Sequence, residues 1–121
     1  FNAPLHVYHW HHDGFDLPSG AELLATGERF PQQAYRYGAR VFGIQFHPEV
    51  DQTILESWLV EGAQELHHPG AQSADEQRSH HARHDAVLDR WFDGFLDQWL
   101  PTVDEPAPDV LHSAIMTPRA G

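Results

Sequence analysis

The spacing of apolar residues changes once along this chain, at Pro48, and that change limits the folds available to it. Before Pro48, apolar and aromatic residues come in short runs separated by glycine and proline, which is typical of strands joined by turns. After Pro48, they repeat about every 3.6 residues, as on one face of an amphipathic helix. The sequence therefore predicts an α/β architecture in which an antiparallel meander is followed by helices.

Four segments before Pro48 have the composition of strands. They cover residues 5–11, 21–26, 33–37 and 40–46. The last two are joined by Gly38 and Ala39, and Gly38 can take the positive φ that a two-residue type II′ turn requires. We therefore predict a tight β-hairpin at this point.

Two helices are predicted after Pro48. The first covers about residues 51–66, with Asp51 as its N-cap. Residues 67–79 contain almost nothing apolar and are predicted to form an exposed loop. The second helix carries a wide apolar stripe from Val87 to Leu100 and ends at Pro101. Residues 1–100 are thus predicted to form one domain, and the proline-rich residues 101–121 an irregular tail.

Charge and composition exclude several classes of function. Eighteen acidic residues against seven arginines give a formal charge of −11, which would repel a phosphate backbone, so we expect no nucleic-acid partner. No apolar run approaches the roughly 18 residues needed to span a bilayer, and the first residues lack the features of a signal peptide. We therefore expect no membrane partner and a soluble, cytoplasmic protein. The absence of cysteine excludes a cysteine nucleophile from these 121 residues.

One string carries the clearest chemical information. In Gly43-Ile44-Gln45-Phe46-His47-Pro48-Glu49, a predicted strand runs directly into a His-Pro-Glu turn. Pro48 fixes its own φ and biases His47 away from the helical region, which makes the connection stiff. A carboxylate beside an imidazole can fix the tautomer of the ring and leave the other nitrogen free to exchange a proton with a nucleophile. From spacing alone, the favoured interpretation is that His47 and Glu49 are two ordinary surface groups.

The string from Gly43 to Glu49 resembles the GxQFHPE signature of class I glutamine amidotransferases. Two further segments resemble the same family in the same order. Residues 9–21 are similar to its (S/W)HxD segment followed by an LPxGAxLLA stretch, and residues 33–38 to its NQAFRYG strand. Trp10 before His11, and the Phe-Asp-Leu-Pro that follows, are most similar to the GMP-synthase-like subgroup. The resemblance covers about residues 5–66.

The resemblance implies specific roles for four residues. His47 would be the general base and acid of a Cys-His-Glu triad, Glu49 its orienting partner, and Trp10 and His11 would lie where the family presents backbone groups to glutamine. It implies hydrolysis of the glutamine side-chain amide to release ammonia, without a cofactor. Some members of the subgroup act on γ-glutamyl bonds instead.

The resemblance also implies what this sequence does not contain. The family domain is flavodoxin-like, and this chain matches only its C-terminal part, without the nucleophile elbow and the oxyanion-hole glycines. We therefore expect it to work with the N-terminal half of the domain or with a synthase partner. Alone, we expect it to be inactive and to form an oligomer or an aggregate, because a sheet edge and part of the apolar stripe would be exposed.

The histidines leave a second interpretation open. Of eleven histidines, four lie within seven residues: His6, His9, His11 and His12. His80 and His84 have the i, i+4 spacing used in metal sites. Without cysteine ligands or an HExxH string, we assign no metal ligand. The alternative to an amidotransferase is a non-catalytic module, either a His-rich metal-binding protein or an amidotransferase remnant.

Overall fold

The computed structural model of this protein describes residues 3–100. The predicted tail at residues 101–121 lies outside the described residues. Three strands are followed by two α-helices, with a 3₁₀ turn between the helices. Their bounds are β1 (Ala21–Ala25), β2 (Ala34–Tyr37), β3 (Val41–Ile44), α1 (Gln52–Glu61), the 3₁₀ turn (Glu65–His67) and α2 (Ala74–Trp99). The predicted α/β architecture is confirmed.

The strands form an antiparallel meander in the order β1-β2-β3, as predicted. The turn between β2 and β3 is one residue longer than predicted, because Tyr37 pairs with Val41 and leaves residues 38–40 in the turn. Gly38 does adopt a positive φ of 63°. The carbonyl of Arg40 accepts a hydrogen bond from Nε1 of Trp99 at 2.7 Å, so this residue contacts α2 rather than extending the ladder.

The prediction of a strand at residues 5–11 is wrong, because none of these residues belongs to a strand. One backbone bond joins it to the end of the sheet, from the N–H of His47 to the carbonyl of Tyr8 at 2.9 Å. Tyr8 and Trp10 pack against a core cluster formed by Val50, Leu55 and Leu59. The alternation that indicated a strand thus reflects side chains that face the helices rather than a ladder of strand pairs.

The second helix begins about six residues earlier than predicted, so the predicted exposed loop at 67–79 is too long. Ser73 caps α2, and its hydroxyl accepts a hydrogen bond from the N–H of Glu76 at 3.3 Å. The Glu76 carboxylate in turn accepts from the N–H of Ser73 at 2.8 Å. This capping box satisfies two backbone donors, so the polar first turn needs no apolar face to be stable.

The first helix is shorter than predicted. It begins after Asp51, whose side chain accepts from the N–H of Ile54 at 2.8 Å and so confirms the predicted N-cap. It ends at Glu61, because Gly62 closes the last turn with a hydrogen bond to the carbonyl of Trp58. Leu66 still packs against the core cluster, which explains why the apolar period continues beyond the helix.

Aromatic contacts join α2 to the sheet. Trp91 lies 5.7 Å from Phe46 between ring centroids, and Phe95 lies 5.1 Å from Phe42. The stripe on α2 is therefore covered in its middle. Large apolar side chains at its two ends and on the sheet are exposed, namely Val87, Trp99, Leu100, Leu23, Tyr37 and Val41. Association of the chain stays a prediction, and these side chains are the surface that would drive it.

No helix within residues 3–100 combines the length and the apolar character that a membrane span requires. The longest of these helices, α2, is amphipathic rather than apolar all round, because one of its faces carries acidic residues and histidines.

Ser73→Ala is expected to destabilise the protein by about 1 kcal/mol, because it removes the side-chain acceptor of the capping box. For a domain of this size, that corresponds to a melting temperature roughly 4–8 °C lower. Thermal denaturation measures the change. Ser79→Ala is the matched control, since Ser79 is exposed on the same helix. Equal melting temperatures for the two variants would contradict the capping role.

Candidate functional site

The predicted pair of His47 and Glu49 forms a direct contact just beyond β3. Nδ1–H of His47 donates to Oε1 of Glu49, with 2.7 Å between nitrogen and oxygen. The ionised carboxylate can only accept, so the hydrogen bond places the proton of a neutral ring on Nδ1. Nε2 of His47 makes no hydrogen bond to any residue in the described range 3–100. The side chain of His47 is 31% exposed, so part of it faces solvent.

Local packing fixes the backbone that carries the pair. Gly43 lies directly beneath the ring of Tyr35, its partner on β2, and a Cβ at Gly43 would clash with that ring. Phe46 is buried against Trp91. The N–H of His47 is held by the carbonyl of Tyr8. The buried Phe46 and the bond to Tyr8 therefore hold the backbone at His47 in place.

Trp58 is a site neighbour that sequence reasoning missed. It lies on α1, and its ring meets that of His47 edge to face, with centroids 4.9 Å apart and planes at 87°. The same indole lies 5.8 Å from the ring of Trp10. Its position on the apolar stripe of a helix predicted only a core residue. The signal that distinguishes it, contact with two separate motifs, exists only in three dimensions.

Trp10 is fixed against the end of α1. Its ring occupies the space above Gly62, where a Cβ would clash with it. It therefore packs between Gly62 and Trp58, while the adjacent His11 stays near the surface. Together with the bond between Tyr8 and His47, this packing brings Trp10 and His47, one from each predicted part of the site, into contact with the same ring, that of Trp58 on α1.

His11 and His9 form a hydrogen-bonded pair. Nδ1–H of His11 donates to the carbonyl of Asp13 at 2.8 Å. Nε2 of a neutral His11 is then an acceptor, and Nδ1 of His9 donates to it at 3.0 Å. The pKa of His9 is lowered by partial desolvation first, and then by the neighbouring charges of His11 and His47.

An open cavity of about 970 Å³ lies beside this site. Eight of the eleven histidines line it: His6, His9, His11, His12, His68, His80, His81 and His84. Gln33 also lines it, is almost fully buried, and has an Oε1 without a hydrogen-bond partner within residues 3–100. His47 and Glu49 lie outside the lining.

The histidines singled out from spacing group differently in space. His84 stacks on His6 with ring centroids 3.9 Å apart, and it lies 6.4 Å from His80. Partial desolvation first, and then the neighbouring His6, Arg83 and His80, lower the pKa of His84. A group of three possible metal donors is instead formed by His12, Glu65 and His68, whose ligand atoms lie within 4.8 Å of one another. Sequence spacing could not reveal it, because 53 residues separate His12 from Glu65.

The protein is expected to lose thermal stability as the pH falls from about 7.5 to about 5, through the usual histidine pKa of about 6.5. The pKa values of His9 and His84 are both lowered by folding, so the unfolded chain binds protons first in this range. Their contribution is therefore present above the unfolded pKa and is lost below it. Calorimetric melting at several pH values measures this. In the double variant His9→Gln/His84→Gln, the melting temperature should depend less steeply on pH. An unchanged dependence would contradict the assignment of this effect to His9 and His84.

No protein-family model matches the chain. Over 91 residues, which are 75% of this chain, it is 35% identical to YfeJ of Salmonella typhimurium, a glutamine amidotransferase-like protein. The chain spans about a third of the length of that relative, since the match covers 35% of it. The fold is an α/β unit that is compatible with part of such a domain. This similarity supports a glutamine amidotransferase-like family for the chain.

Proposed function

We propose that this chain supplies the histidine and the glutamate of a Cys-His-Glu triad in a class I glutamine amidotransferase of the GMP-synthase-like subgroup. The observation that carries the proposal is the 2.7 Å contact between Nδ1 of His47 and Oε1 of Glu49, with Nε2 making no hydrogen bond to residues 3–100. This is the arrangement in which a carboxylate orients an imidazole for proton transfer. The chain contributes the C-terminal part of a flavodoxin-like domain.

The proposed reaction uses His47 as a proton carrier. Nε2 takes the proton of a cysteine thiol that lies outside these 121 residues, and the thiolate attacks the amide carbon of glutamine. The resulting imidazolium, stabilised by Glu49, then gives its proton to the leaving ammonia as the thioester forms. In the second half, His47 takes a proton from water, which attacks the thioester and releases glutamate. The proton finally returns to the cysteine sulfur.

The backbone at Trp10 and His11 is proposed to present the substrate, which is glutamine or a γ-glutamyl compound. Supporting this, the ring of Trp58 contacts both Trp10 and His47, so the position of the substrate segment is coupled to that of the base. A backbone role requires rigid placement rather than a particular side chain, and Trp10 is held by Gly62. No cofactor is required. The cysteine comes from the N-terminal half of the domain or from a synthase partner, in the cytoplasm.

Release of ammonia from glutamine tests this function. The 121-residue chain alone should release none above a buffer blank, because serine and threonine hydroxyls without an activating base are poor nucleophiles. The product of the longest reading frame that contains the chain, or its complex with a cysteine-bearing partner, should release ammonia. Activity of the chain alone would refute the need for the thiolate. Inactivity of every cysteine-bearing form would favour the non-catalytic module.

A further inference from the structure

Three donor side chains converge at a place that the proposed reaction does not use. Nε2 of His12 lies 2.8 Å from Oε2 of Glu65, and Nε2 of His68 lies 3.3 Å from the same oxygen. The rings of His12 and His68 are 5.0 Å apart. We propose that His12, Glu65 and His68 bind a zinc ion, with a fourth position open to water or to an exogenous ligand. The proposal goes beyond the amidotransferase function and does not depend on it.

The spacing of the donor atoms fits such an ion. Zinc bonds of about 2.0–2.1 Å at tetrahedral angles place neighbouring ligand atoms roughly 3.3 Å apart. The two distances from Glu65 Oε2, 2.8 and 3.3 Å, lie close to that value, and all three ligand atoms fall within 4.8 Å. Small rotations of exposed side chains are therefore sufficient to reach tetrahedral geometry. Two nitrogens and one carboxylate oxygen also form a donor set that zinc uses in open sites.

Charge favours a cation at this place. A divalent ion accepts one lone pair from each of the two imidazole nitrogens and lies beside the carboxylate of Glu65. The formal charge of −11 adds a favourable long-range field for cations.

Gly62, directly after α1, helps to position the residues of the donor group. Glu65 opens the 3₁₀ turn and His68 is its C-cap, so the two stand at i, i+3, a spacing that brings side chains to the same face of such a turn. The N–H of Glu65 donates to the carbonyl of Gly62, and the N–H of His68 donates to the carbonyl of Glu65. Trp10, two residues before His12, packs on Gly62. One short segment thus positions all three donors, which reduces the entropy lost on metal binding.

Zinc titration of the full chain by isothermal calorimetry tests the proposal. We expect one tight zinc equivalent per chain, and affinity about tenfold or more lower in His12→Ala and in His68→Ala. Glu65→Gln, which keeps the shape and removes the charge, should weaken binding as well. His67→Ala is the matched control, because His67 is an exposed neighbour outside the donor group, and it should bind like the parent. His80→Ala tests the histidine pair on α2 and should also bind like the parent.

The variants are expected to remain folded, because the side chains of His12 and His68 are 64% and 56% exposed. Melting curves with and without zinc provide a second readout, in which zinc raises the melting temperature of the parent and of His67→Ala but not of His12→Ala. Unchanged affinity in His12→Ala and His68→Ala would overturn the proposal. Loss of the tight equivalent in His80→Ala, with full binding in His12→Ala, would equally overturn it.

Discussion

Replacing His47 with alanine in the cysteine-bearing protein is expected to lower turnover by roughly three orders of magnitude or more. In the proposed mechanism, the variant loses the group that takes the thiol proton and returns it to the leaving ammonia, and proton transfer by a positioned side chain contributes about 10²–10⁴-fold. Loss of thiolate activation adds to that effect. Steady-state ammonia release at saturating glutamine measures the change.

The control for this variant separates catalysis from folding. His47 is partly exposed and lies at the edge of the core, so the melting temperature of His47→Ala should differ little from that of the parent. His67→Ala replaces an exposed histidine of the same chain and should keep full turnover. Turnover of His47→Ala near that of the parent would remove His47 from the mechanism.

Leu55→Ala is expected to destabilise the protein by about 3–5 kcal/mol. Leu55 is 1% exposed at the centre of the core cluster, where it lies between Val50 and Leu59. Its truncation loses the transfer free energy of the removed atoms and leaves a cavity. The surrounding core cannot fully close this cavity, because Leu55 is held in place on α1. Total stabilities of about 5–15 kcal/mol make this a large fraction, so the melting temperature should fall by about 10 °C or more.

Val60→Ala is the matched control on the same helix. Val60 is 74% exposed, and its truncation should change the free energy of unfolding by about 0.5 kcal/mol or less. Chemical denaturation of the two variants measures both values. A similar small change for Leu55→Ala would show that the cluster of Val50, Leu55 and Leu59 is not the centre of the core.

The parts of the fold that the sequence predicted are those set by local rules. The meander follows from short β-rich runs with glycine and proline between them, and Gly38 takes the positive φ expected of it. Asp51 caps α1 because an Asn- or Asp-type side chain at that position satisfies a backbone donor. The closeness of His47 and Glu49 also follows from a local rule, because Pro48 makes the connection between them stiff.

The parts that the sequence did not predict depend on distant partners. Residues 5–11 have the alternation of a strand, yet Tyr8 and Trp10 pack against the core cluster at α1 and do not form part of a sheet. Trp58 has the spacing of a core residue, and only its packing shows that it contacts both Trp10 and His47. The start of α2 is a different case. Ser73 followed by Glu76 is the sequence pattern of a capping box, but a prediction based on the spacing of apolar residues does not use that pattern.

The state of the His47 ring tests the central claim most directly. Long-range nitrogen–proton NMR of the ¹⁵N-labelled chain at neutral to slightly alkaline pH reports which ring nitrogen carries the proton of the neutral imidazole. We predict that Nδ1 of His47 carries this proton, hydrogen-bonded to Glu49, while Nε2 has a free lone pair. Glu49→Gln is the control and should weaken this preference, because an amide is a poorer acceptor than a carboxylate. A proton on Nε2 of His47, unaffected by Glu49→Gln, would contradict the claim that this pair is arranged for proton transfer.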